Sequence, residues 1–174
     1  MPPKLMRFLL WLLSWLPTET IYGPDSSAYL IRRTLFWCPW ARVYLHEIRR
    51  SDADRHLHDH PWNFASLMLA GGYFEHTPAG MRMVKPGQLV RHRAEDMHRI
   101  ELFYDGWHPE GAGPVIPAWT LVFCGRKRRE WGFDVDGAWI SQGAYFSIQR
   151  RFAGTNHGRG VFSWKCACDQ QPYL

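Results

Sequence analysis

The sequence has 174 residues and a mass of 20.4 kDa, which is room for one ordinary globular domain but not for two. Hydrophobic residues make up 46% and charged residues 21%, a balance that excludes intrinsic disorder over most of the chain. Most of the net charge of +5 lies in short basic runs at 126–129 and 150–151. Because no helix-turn-helix or RNA-binding motif accompanies these runs, nucleic-acid binding is not expected.

The N-terminus carries an apolar run at 8–16, preceded by Lys4 and Arg7. The run has the shape of a signal-peptide core, but Pro17 follows it and no small-residue cleavage site does. Nine residues cannot cross a bilayer as a helix, and no other stretch approaches transmembrane length. A short packing helix or an interfacial amphipathic segment is therefore favoured over secretion.

Cysteine usage favours a reducing compartment. The four cysteines are Cys38, Cys124, Cys166 and Cys168, and a domain of this size needs no disulfide to fold. The closely spaced pair near the C-terminus lacks the four ligands of a structural zinc site. We expect reduced thiols and a cytoplasmic protein.

The middle of the chain consists of short runs rich in Val, Ile, Tyr, Phe and Trp, separated by Gly and Pro turns, which predicts an all-β sandwich or barrel. The sequence predicts three segments: an apolar lead segment and turn at 1–27, a barrel at 28–140 and a C-terminal extension at 141–174. No helix pattern longer than a few turns is evident after the first twenty residues, and the loop at 105–114 is a candidate rim of a site. The predicted strands are 29–36, 42–49, 56–60, 63–70, 73–76, 82–85, 88–93, 98–103, 118–124 and 130–133.

Histidines give the strongest chemical signal, since seven of the nine fall between His46 and His98. On a strand, residues two apart share a face and lie about 6.6 Å apart, so a His-x-His pair can point both rings at one metal ion. His56, His58 and His60 alternate in this way, but the outer two would be about 13 Å apart along the strand. One of the three is therefore expected to have another role.

The histidine spacing resembles the first motif of the cupin superfamily, G-x5-H-x-H-x3,4-E-x6-G. With His58 and His60 as the pair, Phe64 stands at the acidic position and Gly71 at the closing glycine. The acid itself is therefore missing. The alternative register uses His56 and His58.

The second cupin motif, G-x5-P-x-G-x2-H-x3-N, fits the spacing from Gly87 to His98. Its proline, inner glycine and asparagine are replaced by Arg93, Glu95 and Leu102. The wider stretch is similar to a group of uncharacterised bacterial and phage cupins with an H-x-H-D-H-P-W motif, here at 56–62. The resemblance implies an RmlC-like jelly-roll barrel, the cupin double-stranded β-helix, and a homodimer. The apolar run at 8–16 adds a short N-terminal helical segment to the predicted fold.

The resemblance implies a divalent metal held by His58, His60 and His98. Three neutral imidazoles leave the ion its full charge, so anionic co-ligands are favoured and positions stay open for substrate and dioxygen. Iron(II) is the favoured metal, with manganese, nickel or zinc as alternatives. The spacing is similar to that of the cupin thiol dioxygenases, although Ala65 stands where some of them carry a cross-linking cysteine.

These features predict a dioxygenase-like oxidoreductase that acts on a small anionic or chelating molecule. The alternatives are a non-catalytic ligand-binding cupin and a metal-dependent isomerase or lyase on the same scaffold. An oxoglutarate-type triad is not expected, because Asp59 directly follows His58 and points to the other face. His56 is a candidate fourth ligand or a group that orients the ligands, and the candidate substrate-binding residues are Trp62, Tyr73, Glu75, Arg91 and Arg93.

Overall fold

The fold is seen in a computed structural model that describes residues 11, 13, 15–23, 26–52, 56–108 and 111–153. The apolar run at 8–16 lies mostly outside these residues, as do Cys166 and Cys168 in the C-terminal part of the extension. No helix in the described part of the chain is long and apolar enough to cross a membrane.

The larger of two facing layers is a six-stranded antiparallel sheet. Its order is β1-β2-β3-β12-β5-β8, so consecutive strands of the chain often lie apart, as in a jelly roll. The strands are β1 (Thr18–Tyr22), β2 (Ala28–Cys38), β3 (Ala41–Ile48), β5 (Phe64–Ala70), β8 (Leu89–His92) and β12 (Ala118–Cys124).

The second layer consists of two three-stranded sheets, β14-β13-β4 and β7-β6-β9. An antiparallel bridge between His58 and His98 joins them into one layer. A separate small hairpin, β10 (Trp107–His108) and β11 (Gly111–Ala112), lies in the predicted rim loop. The strands of the second layer are β4 (Leu57–His58), β6 (Tyr73–Thr77), β7 (Gly80–Val84), β9 (Arg99–Leu102), β13 (Gly132–Val135) and β14 (Ala138–Ser141).

The main core fills the space between the layers towards one end of the barrel. Strands of both layers place alternate side chains inside, because successive residues of a strand point to opposite faces. Met68 from β5 and Leu102 from β9 are 1% and 0% exposed. They pack in one cluster with Tyr73, Val84 and Ile100. The other end of the barrel is left to the histidines and aromatic side chains described below.

The turn between β5 and β6 depends on Gly71, the closing glycine of the first motif. Its φ of 72° lies in the left-handed region that favours glycine. A Cβ at this position would lie 2.3 Å from the carbonyl oxygen of Pro117. The motif glycine is therefore required by both backbone conformation and space.

The all-β prediction is confirmed, and ten predicted strands coincide with observed ones to within a few residues. Ala118–Cys124 has the predicted bounds. Strand β1 was not predicted; it pairs with β2, so the sheet begins inside the segment assigned to the lead. The short strand β14 was also not predicted.

The C-terminal extension contains a short helix that the sequence pattern did not reveal. A helix, α1, runs from Gln142 to Ala153, and the Oγ of Ser141 lies 3.5 Å from the backbone N–H of Ala144 at its start. Tyr145 stacks on Phe133 of β13 with ring centroids 4.0 Å apart. The apolar face of this helix is too short to give a clear period in the sequence, and packing on β13 stabilises it instead.

Candidate metal centre

Backbone pairing brings the two halves of the candidate centre together. The N–H of His58 donates to the carbonyl of His98 at 2.8 Å, and the N–H of His98 donates back at 2.9 Å. This exchange of two bonds is that of a directly opposed antiparallel pair, whose side chains lie side by side. The N–H of His60 donates to the carbonyl of Ala94 at 3.1 Å, which fixes the third histidine beside them.

The three rings form one group of nitrogen ligands. One nitrogen from each of His58, His60 and His98 lies within 4.8 Å of the others, and the Nε2 atoms of His60 and His98 are 2.8 Å apart. Metal–imidazole bonds of about 2.0–2.1 Å that meet at a right angle place two nitrogens about 3 Å apart. The donor set and its spacing therefore fit a divalent ion bound on one face.

The surroundings of His60 keep its imidazole neutral. Burial lowers the pKa of His60 well below its ordinary value, and the neighbouring His98 and His58 lower it further. Phe64 meets the His60 ring edge-on at 4.6 Å between centroids. A metal ligand must be deprotonated, so this environment prepares the ring for coordination.

Glu75 lies behind the centre and is completely buried. Its Oε1 accepts hydrogen bonds from the Nδ1 of His98 at 2.6 Å and the Nε2 of His92 at 2.8 Å, and Arg82 pairs with its other oxygen. Burial alone would raise the pKa of Glu75, but the hydrogen bonds from His92 and His98 hold it well below its ordinary value. The carboxylate thus fixes the His98 ring with Nε2 free to bind a metal, as in carboxylate–histidine–metal groups.

Asp59 fixes the segment between the first two histidines from the opposite side. Its side chain is fully buried and accepts hydrogen bonds from the Gly132 N–H at 2.6 Å and from Trp139 Nε1 at 2.9 Å. Arg129 adds an ion pair at 3.0 Å. These contacts hold the Asp59 carboxylate away from the three-histidine group, on the other face of the segment.

A second group of three, Glu75, His92 and His98, also has ligand atoms within 4.8 Å of one another. Its short contacts are hydrogen bonds from ring N–H groups to a carboxylate, and Glu75 and His92 are not part of the wall of the cavity that lies between the layers. His58, His60 and His98 do line it. An ion with positions open to a substrate therefore fits the three-histidine group.

The cavity has a volume of about 210 Å³ and lies between the two layers. Apolar and aromatic side chains dominate its wall, as in sites that bind small organic molecules. Asp52 is its one carboxylate among the described residues; Oδ1 accepts from the Tyr29 hydroxyl at 2.5 Å and Oδ2 from the Ile100 N–H at 2.6 Å. The aromatic wall nearest the histidines comprises Tyr44, Trp62, Phe64, Trp131, Phe133 and Phe146.

Comparison with solved structures shows which fold carries this centre. The polyketide cyclase RemF from Streptomyces resistomycificus matches with a TM-score of 0.55 and 16% identity, covering 79% of this chain and 89% of that one. A cupin-2 domain protein from Rhodospirillum rubrum matches with a TM-score of 0.50 and 13% identity, covering 78% and 82%. The chain has the cupin fold. The DMSP lyase DddQ from Ruegeria pomeroyi also matches, with a TM-score of 0.50, 14% identity and coverage of 83% and 70%.

Neither a protein-family model nor a curated protein matches the sequence. At identities of 13–16%, the structural matches concern the cupin fold alone. The resemblance to cupins with the H-x-H-D-H-P-W motif therefore stays a prediction.

The cupin barrel places the predicted substrate-binding residues in two different settings. Trp62 and Tyr73 are 5% and 4% exposed and line the cavity. Arg91 and Arg93 are exposed on the outside of the barrel and do not line it. Glu75 is also outside the cavity wall, where it binds His98 from behind.

His56 lies apart from the three-histidine group. Its ring meets Tyr145 of α1 edge-on at 5.7 Å between centroids, and its Nδ1 is 3.4 Å from the Asp134 carbonyl oxygen. His56 comes before the first residue of β4, so the alternation that aligns His58 and His60 does not extend to it. The second register, with His56 and His58 as the pair, does not correspond to the group that forms.

The cavity residues that were not predicted from the sequence include Arg32, His46, Asp52 and Trp131. Arg32 follows the apolar Leu30 by two residues on β2, so the two side chains share one face of the strand. This spacing is the sequence signal for a charged side chain on the inner face. The buried Nε1 of Trp131 has no hydrogen-bond partner in the described part of the chain. Unsatisfied buried donors of this kind often bind a water or a ligand.

Proposed function

We propose that this cupin is a metal-dependent enzyme that acts on a small anionic or chelating molecule at His58, His60 and His98. Oxidation with dioxygen is the proposed reaction class and iron(II) the proposed metal. The observation that carries the proposal is a group of three imidazoles that faces an apolar cavity of about 210 Å³.

The composition of the ligand group supports an anionic or chelating substrate. In the three-histidine group all ligands are neutral when deprotonated, so a bound divalent ion keeps its charge and attracts an anion. Iron(II) held by such a set supplies redox chemistry with dioxygen and open positions for a substrate. The residues themselves hold the ligands in place: Glu75 orients His98, and the backbone pairing aligns His58 with it.

The apolar wall supports a reaction that is sheltered from bulk water. Phe64 stands where the cupin motif has an acid, and it packs against both His60 and His92. A hydrophobic surrounding limits solvent access to a metal centre and strengthens electrostatic interactions within it.

A metal-dependent isomerase or lyase is the second candidate, because a proton-handling pair lies next to the centre. The Tyr29 hydroxyl donates to Asp52, whose Oδ2 is 3.9 Å from the Nδ1 of His58. Groups that can move a proton beside a Lewis-acidic site are what such reactions need. The cupin fold is also that of proteins named a cyclase and a lyase.

Elemental analysis of protein purified without chelator or affinity-tag metal tests the centre. We expect near-stoichiometric iron, manganese, nickel or zinc in the wild type, and its loss in His58→Ala and His98→Ala. His76→Ala is the matched control, because His76 lies on β6 and pairs with Glu101 away from the group. A wild type that holds no metal, even after reconstitution, would refute the metalloenzyme proposal and favour a ligand-binding cupin.

Oxygen uptake separates the reaction classes. Metal-dependent oxygen consumption with a panel of small carboxylates and chelating molecules supports the oxidoreductase. Metal-dependent turnover without oxygen uptake, lost in Tyr29→Phe, supports the isomerase or lyase. Homodimer formation and a cytoplasmic location stay predictions from the sequence.

A further inference from the structure

Arg32 extends from β2 into the cavity, although strand arginines usually face solvent. Its side chain is only 11% exposed, and it lines the cavity together with the three histidines. Arginine is almost never enclosed to this degree without an anionic partner, because removing its charge from water is costly. The partner of this guanidinium therefore needs to be identified.

The contacts of Arg32 leave part of its hydrogen-bonding edge open. Its Nε donates to the Nε2 of His46 at 3.3 Å, and its Cζ lies 4.9 Å above the Tyr44 ring. Nη1 forms an ion pair with Oε2 of Glu19 at 3.8 Å, which is too long for a hydrogen bond. No carboxylate of the described residues forms a hydrogen bond with the guanidinium.

The other groups of the cavity wall do not compensate the charge of Arg32. Burial lowers the pKa of His46 well below its ordinary value, and the charge of Arg32 lowers it further, so His46 is neutral. Asp52 is the only carboxylate among the described residues of the cavity wall, and both of its oxygens already accept short hydrogen bonds. Among the described residues, the one ion pair of Arg32 is therefore with Glu19 of β1, outside the cavity wall, and no carboxylate with a free oxygen faces the guanidinium from that wall.

The remaining wall indicates what kind of anion fits. Trp62 and Phe133 are nearly fully buried, and Trp131 and Phe133 each lie 6.0 Å from the His58 ring between centroids. Flat aromatic walls with one cationic fork match a planar apolar body that carries a single carboxylate. Arg32 and the histidines line the same cavity from opposite layers.

We propose that Arg32 is the anion-recognition residue of this cavity and that its ligands are small monocarboxylates with an aromatic or similarly apolar body. This inference rests on the cavity being the substrate site of the proposed function. The carboxylate pairs with the Nη edge of the guanidinium, and the apolar body lies along the aromatic wall towards the histidines.

The test compares 4-fluorophenylacetate with its neutral amide, 4-fluorophenylacetamide, by ¹⁹F NMR binding titrations on the full chain. Metal is removed beforehand by chelation, so that a carboxylate cannot gain affinity by binding an ion. We expect the wild type to bind the carboxylate at least tenfold more tightly than the amide. Arg32→Met keeps the apolar stem of the side chain but should remove this preference, while leaving the amide affinity within twofold.

Arg91→Met is the control, because Arg91 is an exposed strand arginine outside the cavity. It should leave both affinities within twofold of wild type. If Arg32→Met does not fold, Arg32→Lys carries the test, since a lysine keeps the charge but loses the two-pronged geometry. We expect that variant to weaken carboxylate binding three- to tenfold and to leave amide binding unchanged.

Equal binding of carboxylate and amide by the wild type overturns the inference, as does carboxylate preference that survives in Arg32→Met. The outcome is independent of the proposed metal chemistry. Arg32-dependent preference in a protein that retains no metal would leave the inference standing and refute the proposed function. Metal-dependent turnover in Arg32→Met, together with an unchanged carboxylate preference, would support the proposed function and refute the inference about Arg32.

Discussion

Replacing Glu75 with glutamine removes the negative charge behind His98 and keeps the size of the side chain. In the folded protein, Oε1 of Glu75 accepts hydrogen bonds from His98 at 2.6 Å and His92 at 2.8 Å within a fully buried site. A glutamine oxygen can still accept these bonds, but its NH₂ group then faces the guanidinium of Arg82. In the variant, the hydrogen bonds from His98 and His92 are therefore no longer made to a charged acceptor. The NH₂ donor of the glutamine also faces the N–H donors of Arg82.

The magnitude follows from these contacts. A hydrogen bond to a charged group contributes about 1.5–3 kcal/mol, and the neutral bonds that remain recover about half of this for each histidine. Over the two bonds, we expect the free energy of unfolding of the metal-free protein to fall by about 1.5–3 kcal/mol. Loss of the group that orients a metal-binding histidine typically lowers metal affinity about 10–100-fold.

Two measurements check this expectation: urea unfolding of the metal-free protein, and competition for Zn²⁺ against a chromophoric chelator. Glu101→Gln is the matched control, because Glu101 accepts from the Nε2 of His76 at 2.9 Å but is 39% exposed. An ion pair exposed to solvent contributes little, so the control should lose about 0.5 kcal/mol or less and bind Zn²⁺ as the wild type does. Equal unfolding free energies and equal Zn²⁺ affinities for the two variants would refute the role assigned to Glu75.

The same variant predicts a pH dependence. The pKa of Glu75 is lower in the folded than in the unfolded protein, whose glutamates titrate near about 4.3. The stabilisation from its charged form is therefore present above about pH 4.3 and is lost as the pH falls further. Glu75→Gln should flatten this acid-side loss, and a variant whose stability falls as steeply as that of the wild type would contradict it.

Three further predictions follow from single sites. Gly71→Ala should destabilise the protein by about 2–4 kcal/mol, because the new Cβ meets the Pro117 carbonyl oxygen. Gly80→Ala is the control: its Cβ enters open space, so it should cost about 1 kcal/mol. Similar urea midpoints for the two variants would contradict this expectation. Burial raises the pKa of Cys124 to about 12, so iodoacetamide at pH 8 should label the half-buried Cys38 well before Cys124, as peptide mass mapping would show. In thermal unfolding, Zn²⁺ at 100 times its dissociation constant should stabilise the wild type by about 2.7 kcal/mol. The same Zn²⁺ concentration should not stabilise His58→Ala. An equal rise of the unfolding temperature in both proteins would show that the ion binds elsewhere.

The strands could be read from the sequence because each carries its own local signal. β-Branched and aromatic runs bounded by glycine and proline specify extended backbone, and Ala118–Cys124 was predicted to the residue. Helix α1 has no comparable signal, since its apolar contacts are mainly Tyr145 and Phe146 on Phe133. Its stability depends on a strand that lies close in space, which a local pattern cannot reveal.

The sequence by itself determined which histidines could come together: the His58–His60 alternation and the motif spacing to His98 predicted a group whose ring nitrogens the fold brings within 4.8 Å of one another. Only the tertiary structure decided what surrounds that group. It placed Glu75 behind His98 and Arg32 in the cavity, while Arg91 stands outside. The physical reason is that alternation with a period of two separates the two faces of a strand but does not say which face meets the core. That choice is made when the two layers pack together and bury their apolar faces against each other.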